Sequence, residues 1–94
     1  MAPNVQMMIK EDLGSVSFIN SDVLQTPEER KERYSKLQRA MILGNGYKGK
    51  VRIIFETTSG SKAVETTIWQ ATEDNVMLKG GIRIPIKSIR EVMI

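Results

Sequence analysis

Val76-Met77-Leu78-Lys79-Gly80-Gly81-Ile82-Arg83-Ile84-Pro85-Ile86-Lys87-Ser88-Ile89 reads as a strand, a glycine turn, a second alternating strand and a tight corner. Side-chain parity decides the length of the turn. A two-residue loop at Gly80-Gly81 would set Leu78 opposite Arg83 and bring a charge onto the apolar face. A three-residue loop, Lys79-Gly80-Gly81, instead pairs Leu78 with Ile82 and Val76 with Ile84, one glycine supplying the left-handed residue such hairpins need. Pro85 has no N–H to give a ladder, so it marks an edge or an outward-facing position. Lys87-Ser88-Ile89 then turns the chain toward a short closing strand over residues 90–94.

The same period of two extends back to residue 48. Val51, Ile53 and Phe55 form one apolar face, and Val64, Thr66 and Ile68 another. A two-residue turn at Ser59-Gly60 pairs Phe55 with Val64, Ile53 with Thr66 and Val51 with Ile68. Between Ile68 and Val76, a three-residue loop at Glu73-Asp74-Asn75 would turn Gln70 inward. A bulge near Trp69-Gln70 turns Trp69 or Ala71 inward instead, and is favoured because a long strand bending around a small core needs one.

Upstream, Thr26-Pro27-Glu28-Glu29 combines an N-cap threonine, proline at the first helical position and glutamate three residues after the cap. The helix is expected over 27–43, with Gly44-Asn45-Gly46 as its left-handed stop. Tyr34, Leu37 and Met41, widened by Ala40 and Leu43, supply its apolar stripe. Its first two turns are charged all round and are expected to project past the core. Residues 1–25 read as an arm or a short hairpin, with strands near 5–9 and 16–19.

Ninety-four residues make one domain with one small core. The chain has no cysteine and no histidine, which removes disulfides, thiol chemistry and the commonest general base. Pro3, Asn4 and Gln6 break up the first nine residues, against a secretory leader, and no apolar run reaches membrane-spanning length, so a cytoplasmic protein with no membrane partner is expected. The acids give no converging set. Glu56 and Glu65 are diagonal neighbours in the register above, too few for a convincing cation site, and Glu73-Asp74-Asn75 is an ordinary turn. Gly44-Asn45-Gly46-Tyr47-Lys48-Gly49-Lys50 precedes a strand and lacks P-loop spacing. Neither an enzyme nor a cofactor or metal is indicated.

The order of helix, three long strands, a fourth strand, a turn and a short fifth is the plan of a small five-stranded barrel capped by its helix. In this outline residues 27–94 resemble the SH3-like and Sm-like proteins, among them the Sm-like RNA chaperones of bacteria. The likeness is carried by the leading helix, the bent second strand, Val76-Met77-Leu78-Lys79-Gly80-Gly81 and the close at Ile84-Pro85-Ile86-Lys87-Ser88-Ile89. Lys87 falls where the chaperones' Tyr-Lys-His motif has its lysine, but Ile86 and Ser88 replace the aromatic and the histidine. The resemblance implies a mainly β fold with one N-terminal helix, strands near 48–58, 61–72, 76–79, 82–87 and 90–94, and assembly through edge strands.

Two functions follow as expectations. The apolar close Val92-Met93-Ile94 suits an interface, making a non-catalytic module whose partner is itself, as a homo-oligomer, or another protein. The alternative rests on the net charge of +3. Lys50 opposite Trp69, and Arg52 opposite Thr67, put an aromatic among cations, extended by Lys48, Arg83 and Lys87. Such a face stacks a base while the cations meet phosphates, so RNA or another single-stranded nucleic acid is the partner it fits.

Overall fold

The computed structural model of the chain describes residues 5–94; residues 1–4, the start of the arm read over 1–25, lie outside the described ones. The protein is mainly β with one helix, built as two sheets. In chain order the elements are β1 (Gln6–Met8), α1 (Pro27–Tyr47), β2 (Val51–Thr57), β3 (Gly60–Thr66), β4 (Ile68–Ala71), β5 (Asn75–Leu78), β6 (Arg83–Pro85) and β7 (Ile89–Met93). A two-turn 3₁₀ helix occupies Lys10–Ser15 and a single 3₁₀ turn Ile86–Ser88. One sheet runs β1-β3-β2-β7 and the other β4-β5-β6, with Thr67 as the break between β3 and β4. The Ile86–Ser88 turn returns the chain to the first sheet, but among the described residues no ladder joins β6 to β7.

The β5–β6 hairpin has the three-residue loop. Val76 faces Ile84, and the Leu78 N–H donates to the Ile82 carbonyl at 2.7 Å. Both Gly80 and Gly81 take positive φ, where one glycine was expected. Pro85 ends β6, an edge strand that does not need its missing N–H.

The first hairpin is displaced by two residues from the expected register: Phe55 faces Lys62, Ile53 faces Val64 and Val51 faces Thr66. The cause is Thr57, whose hydroxyl accepts from the Ser59 N–H at 3.0 Å and donates to the Gly60 carbonyl at 2.8 Å. The turn is therefore Thr58-Ser59, and Gly60 opens β3 at φ 109°. A shift of two preserves parity, so inward residues stay inward while cross-strand partners change.

Helix α1 carries the expected cap: the Glu29 N–H donates to Thr26 Oγ1 and the Thr26 N–H to Glu29 Oε1, each at 3.2 Å. It does not stop at Gly44. It runs to Tyr47, and Lys48 at φ 54° takes the left-handed position. Gly44 lies inside the helix because α1 packs on β4 there: a Cβ would stand 2.1 Å from the Ile68 carbonyl oxygen. The buried face is Arg33, Leu37, Ala40 and Gly44, which leaves Tyr34 half-exposed, and the charged first turns dock at Arg33 rather than projecting.

The core between helix and sheets includes Leu37 and Ala40 with Ile53, Phe55, Val64, Ile68, Leu78 and Ile84, all fully buried. Residues 5–9 and 16–19 do not pair with each other. Instead β1 adds in parallel to β3, and Phe18 bridges to Thr57 with its ring 5.6 Å from that of Phe55. Among the described residues no helix is long and apolar enough to cross a membrane.

Candidate nucleic-acid interface

A concavity of about 750 Å³ lies between β1, the end of α1, the β3–β4 break and the β5–β6 loop. Trp69 stands in its wall, 43% exposed. The reason is the bulge, which lies where it was expected: Ile68 faces Leu78 and Gln70 faces Met77, so Trp69 is the extra residue. Two consecutive residues, Trp69 and Gln70, are thereby turned outward, while Ile68 is buried and Ala71 packs partly on the core. Ala71 thus takes the inward place and Trp69 does not. The Asn45 amide donates to the Trp69 carbonyl at 3.2 Å and ties the bulge to the helix end.

Four lysines line the same concavity as Trp69: Lys10, Lys48, Lys50 and Lys79. Lys48 is held by the helix cap, its own N–H donating to the Gly44 carbonyl at 3.2 Å and the Gly49 N–H to that of Leu43 at 3.1 Å. A left-handed lysine at this position is costly where glycine is usual. Lys79 is placed by its N–H on the Thr67 carbonyl at 2.9 Å. Lys10 lies over Gly80 and 4.0 Å from Glu11, its only ion pair among the described residues. Lys48, Lys50 and Lys79 have none there. Of the acids at the rim, Glu65 is neutralised by Arg52 at 3.0 Å.

Lys48, Lys50 and Trp69 thus come together, although Trp69 belongs to the second sheet and is not the cross-strand partner of Lys50. Arg52 faces Glu65 rather than Thr67 and is spent on it. Arg83 sits on the outer face of β6 beside Gln70 and Met77, outside the groove. Lys87 is exposed in the Ile86–Ser88 turn, where its carbonyl accepts from the Val23 N–H, and does not line the groove either. The proposed interface divides likewise. Val92 is a core residue, 2% exposed and opposite Ile53, because the bulge at Arg90 leaves it on the inner face; Met93 and Ile94 are about half-exposed. Lys10 and Lys79 also line the groove, and neither is among the residues to which the sequence points. Lys79 was legible as the outward residue of the glycine loop, whereas Lys10 arrives only through the long-range parallel pairing of β1 with β3.

Glu56 and Glu65 are no longer diagonal in the observed register, since Glu56 faces Ser61 and Glu65 faces Arg52. Burial alone would raise the Glu56 pKa, but hydrogen bonds from Arg90 and Ser61 and the charge of Arg90 outweigh it and hold the carboxyl below its ordinary value.

Compared with protein-family models, with curated proteins and with solved structures, the chain matches none.

Lys48→Gly separates the two roles of this position. It should raise stability by about 1 kcal/mol by relieving the left-handed side chain, read as a higher denaturation midpoint. A decrease in stability would show that the lysine side chain contributes packing instead.

Proposed function

We propose that the protein is a non-catalytic binder of single-stranded nucleic acid. The observation that carries this reading is one half-exposed indole in the wall of a groove lined by four lysines. A base stacked on Trp69 contributes about 1–3 kcal/mol whatever its identity, while the lysines meet the flanking phosphates. Four phosphate contacts on a single strand imply a log-log salt slope of about −3. The groove suits an unpaired strand better than a duplex, because stacked and paired bases offer no free face to the indole. Helix α1, β2, the bent β3–β4 pair, β5, β6 and β7 support an SH3-like or Sm-like barrel plan as the frame, and a cytoplasmic setting belongs to the same proposal.

The test is titration of labelled eight-nucleotide RNA and DNA at low salt. Trp69→Ala should weaken binding about 5- to 150-fold. Lys50→Ala should weaken it less and flatten the salt slope by about 0.7. Unchanged affinity in both variants, or no binding by the unaltered protein, contradicts the proposal.

A second reading, self-association as a homo-oligomer or docking of another protein on the edge of β7, is supported by the half-exposed Met93 and Ile94. The start of that edge is already occupied, the Ile89 carbonyl accepting from Arg33 at 3.0 Å. Replacing Met93 and Ile94 with lysine should then shift the mass in light scattering toward monomer. An unchanged mass removes self-association.

A further inference from the structure

We propose a second nucleotide subsite on the outer face of the β4-β5-β6 sheet, formed by Gln70, Met77 and Arg83, which takes the nucleotide next to the one on Trp69. It rests on the reading of the Trp69 groove as a nucleic-acid site. The bulge makes Gln70 the outward neighbour of Trp69, so a strand leaving the indole meets this face first. Across the sheet, Gln70 faces Met77 and Met77 faces Arg83. Neighbouring strands lie about 4.8 Å apart, so the row spans about 10 Å.

A depression of about 170 Å³ lies on this row, lined also by Thr72 and Asn75. The Thr72 hydroxyl is engaged in its own turn, accepting from the Asn75 N–H and donating to the Asn75 carbonyl, each at 3.1 Å, so it shapes the wall. Among the described residues the Gln70 amide and the Arg83 guanidinium make no side-chain hydrogen bond or ion pair. A free amide both donates and accepts, and a free guanidinium offers a planar fork, whereas Met77 gives a half-buried apolar floor. These are groups that read base edges and phosphates. The indole stacks any base, so base preference is set at the second subsite, and the ligand class is a strand of several nucleotides rather than a mononucleotide.

The experiment compares nucleoside monophosphates with eight-nucleotide homopolymers of each RNA base, using the unaltered protein, Trp69→Ala, the double variant Gln70→Ala with Arg83→Ala, and Arg83→Lys. The double variant should bind nucleoside monophosphates no more than about twofold more weakly, lose about tenfold on octamers and level the ranking of the four bases. Arg83→Lys should keep most of the octamer affinity, because the charge remains, and lose ranking, because the fork is gone. Octamer affinity and ranking unchanged in the double variant, while Trp69→Ala weakens every ligand, overturn the subsite alone. Octamer binding indifferent to Trp69→Ala overturns the groove reading on which it rests. A thermal midpoint common to all four proteins shows that the comparison is between folded molecules.

Discussion

Gly44→Ala is expected to lower the unfolding free energy by about 2–4 kcal/mol, a large part of the marginal stability of a chain this size. Helix propensity alone favours alanine by about 1 kcal/mol, so the predicted sign runs against the local preference. The reason is contact. A Cβ at Gly44 would stand 2.1 Å from the Ile68 carbonyl oxygen and 3.0 Å from Thr67 Cγ2. Ile68 is wholly buried and paired with Leu78, so the carbonyl cannot step aside without opening β4. Gly46→Ala is the control, since a Cβ there meets nothing within 4 Å and should add about 1 kcal/mol. Denaturant titration of both variants checks the pair. Stabilisation by both would mean that α1 and β4 are not in contact at Gly44. Because Asn45 and Lys48 follow Gly44, a displaced helix end should also weaken nucleic-acid binding.

Asp22→Ala is expected to cost about 2–4 kcal/mol, somewhat below a fully buried pair because Asp22 is partly exposed. Arg33 donates to Asp22 Oδ1 at 3.0 Å and to Oδ2 at 2.8 Å, and the Leu24 N–H donates to Oδ1 at 2.9 Å. Removing the carboxylate leaves a buried guanidinium beside Arg30 with only the Ile89 carbonyl to face. Replacing both partners, as in Asp22→Leu with Arg33→Met, should recover most of the loss because no charge is then stranded. Burial by itself raises the Asp22 pKa. Hydrogen bonds from Arg33 and the Leu24 N–H, with the charges of Arg33 and Arg30, outweigh it and hold the pKa below its ordinary value of 3.8. A depressed pKa stabilises the fold above the unfolded-state value, and that contribution is lost as pH falls through the folded one. Stability should therefore fall below the ordinary values of 4.5 for Glu56 and 3.8 for Asp22, and Asp22→Ala should show a shallower acid slope. Equal slopes in the two proteins would contradict this.

Where local chemistry decides, the sequence was legible. Parity resolved the glycine hairpin, because a wrong loop length would have buried Arg83. It also fixed which residues of β2 and β3 face inward, but not the partners, since the Thr57 hydroxyl closes the turn one residue earlier than Ser59-Gly60 suggests. Gly44 looked like a stop because glycine after an apolar helical run usually is one. Its role as a contact surface depends on β4, far along the chain. Arg33 reads as part of a solvated turn because its partner, Asp22, lies in an irregular segment with no periodicity to read. In the candidate site, Lys48, Lys50 and Trp69 were found from the change of period and the bulge. Arg52 faces Glu65 instead of Thr67 because the register differs, and Lys10 depends on a parallel pairing that no local pattern announces.

Trp69 is the single tryptophan of the chain, so its emission reports on the proposed site without a label. Titrating single-stranded RNA octamers at low salt should quench that emission as bases stack on the indole, and added salt should restore it in step with release of the strand. Emission unchanged by saturating RNA, at a concentration where an independent assay shows the strand bound, would place binding elsewhere and contradict the central claim.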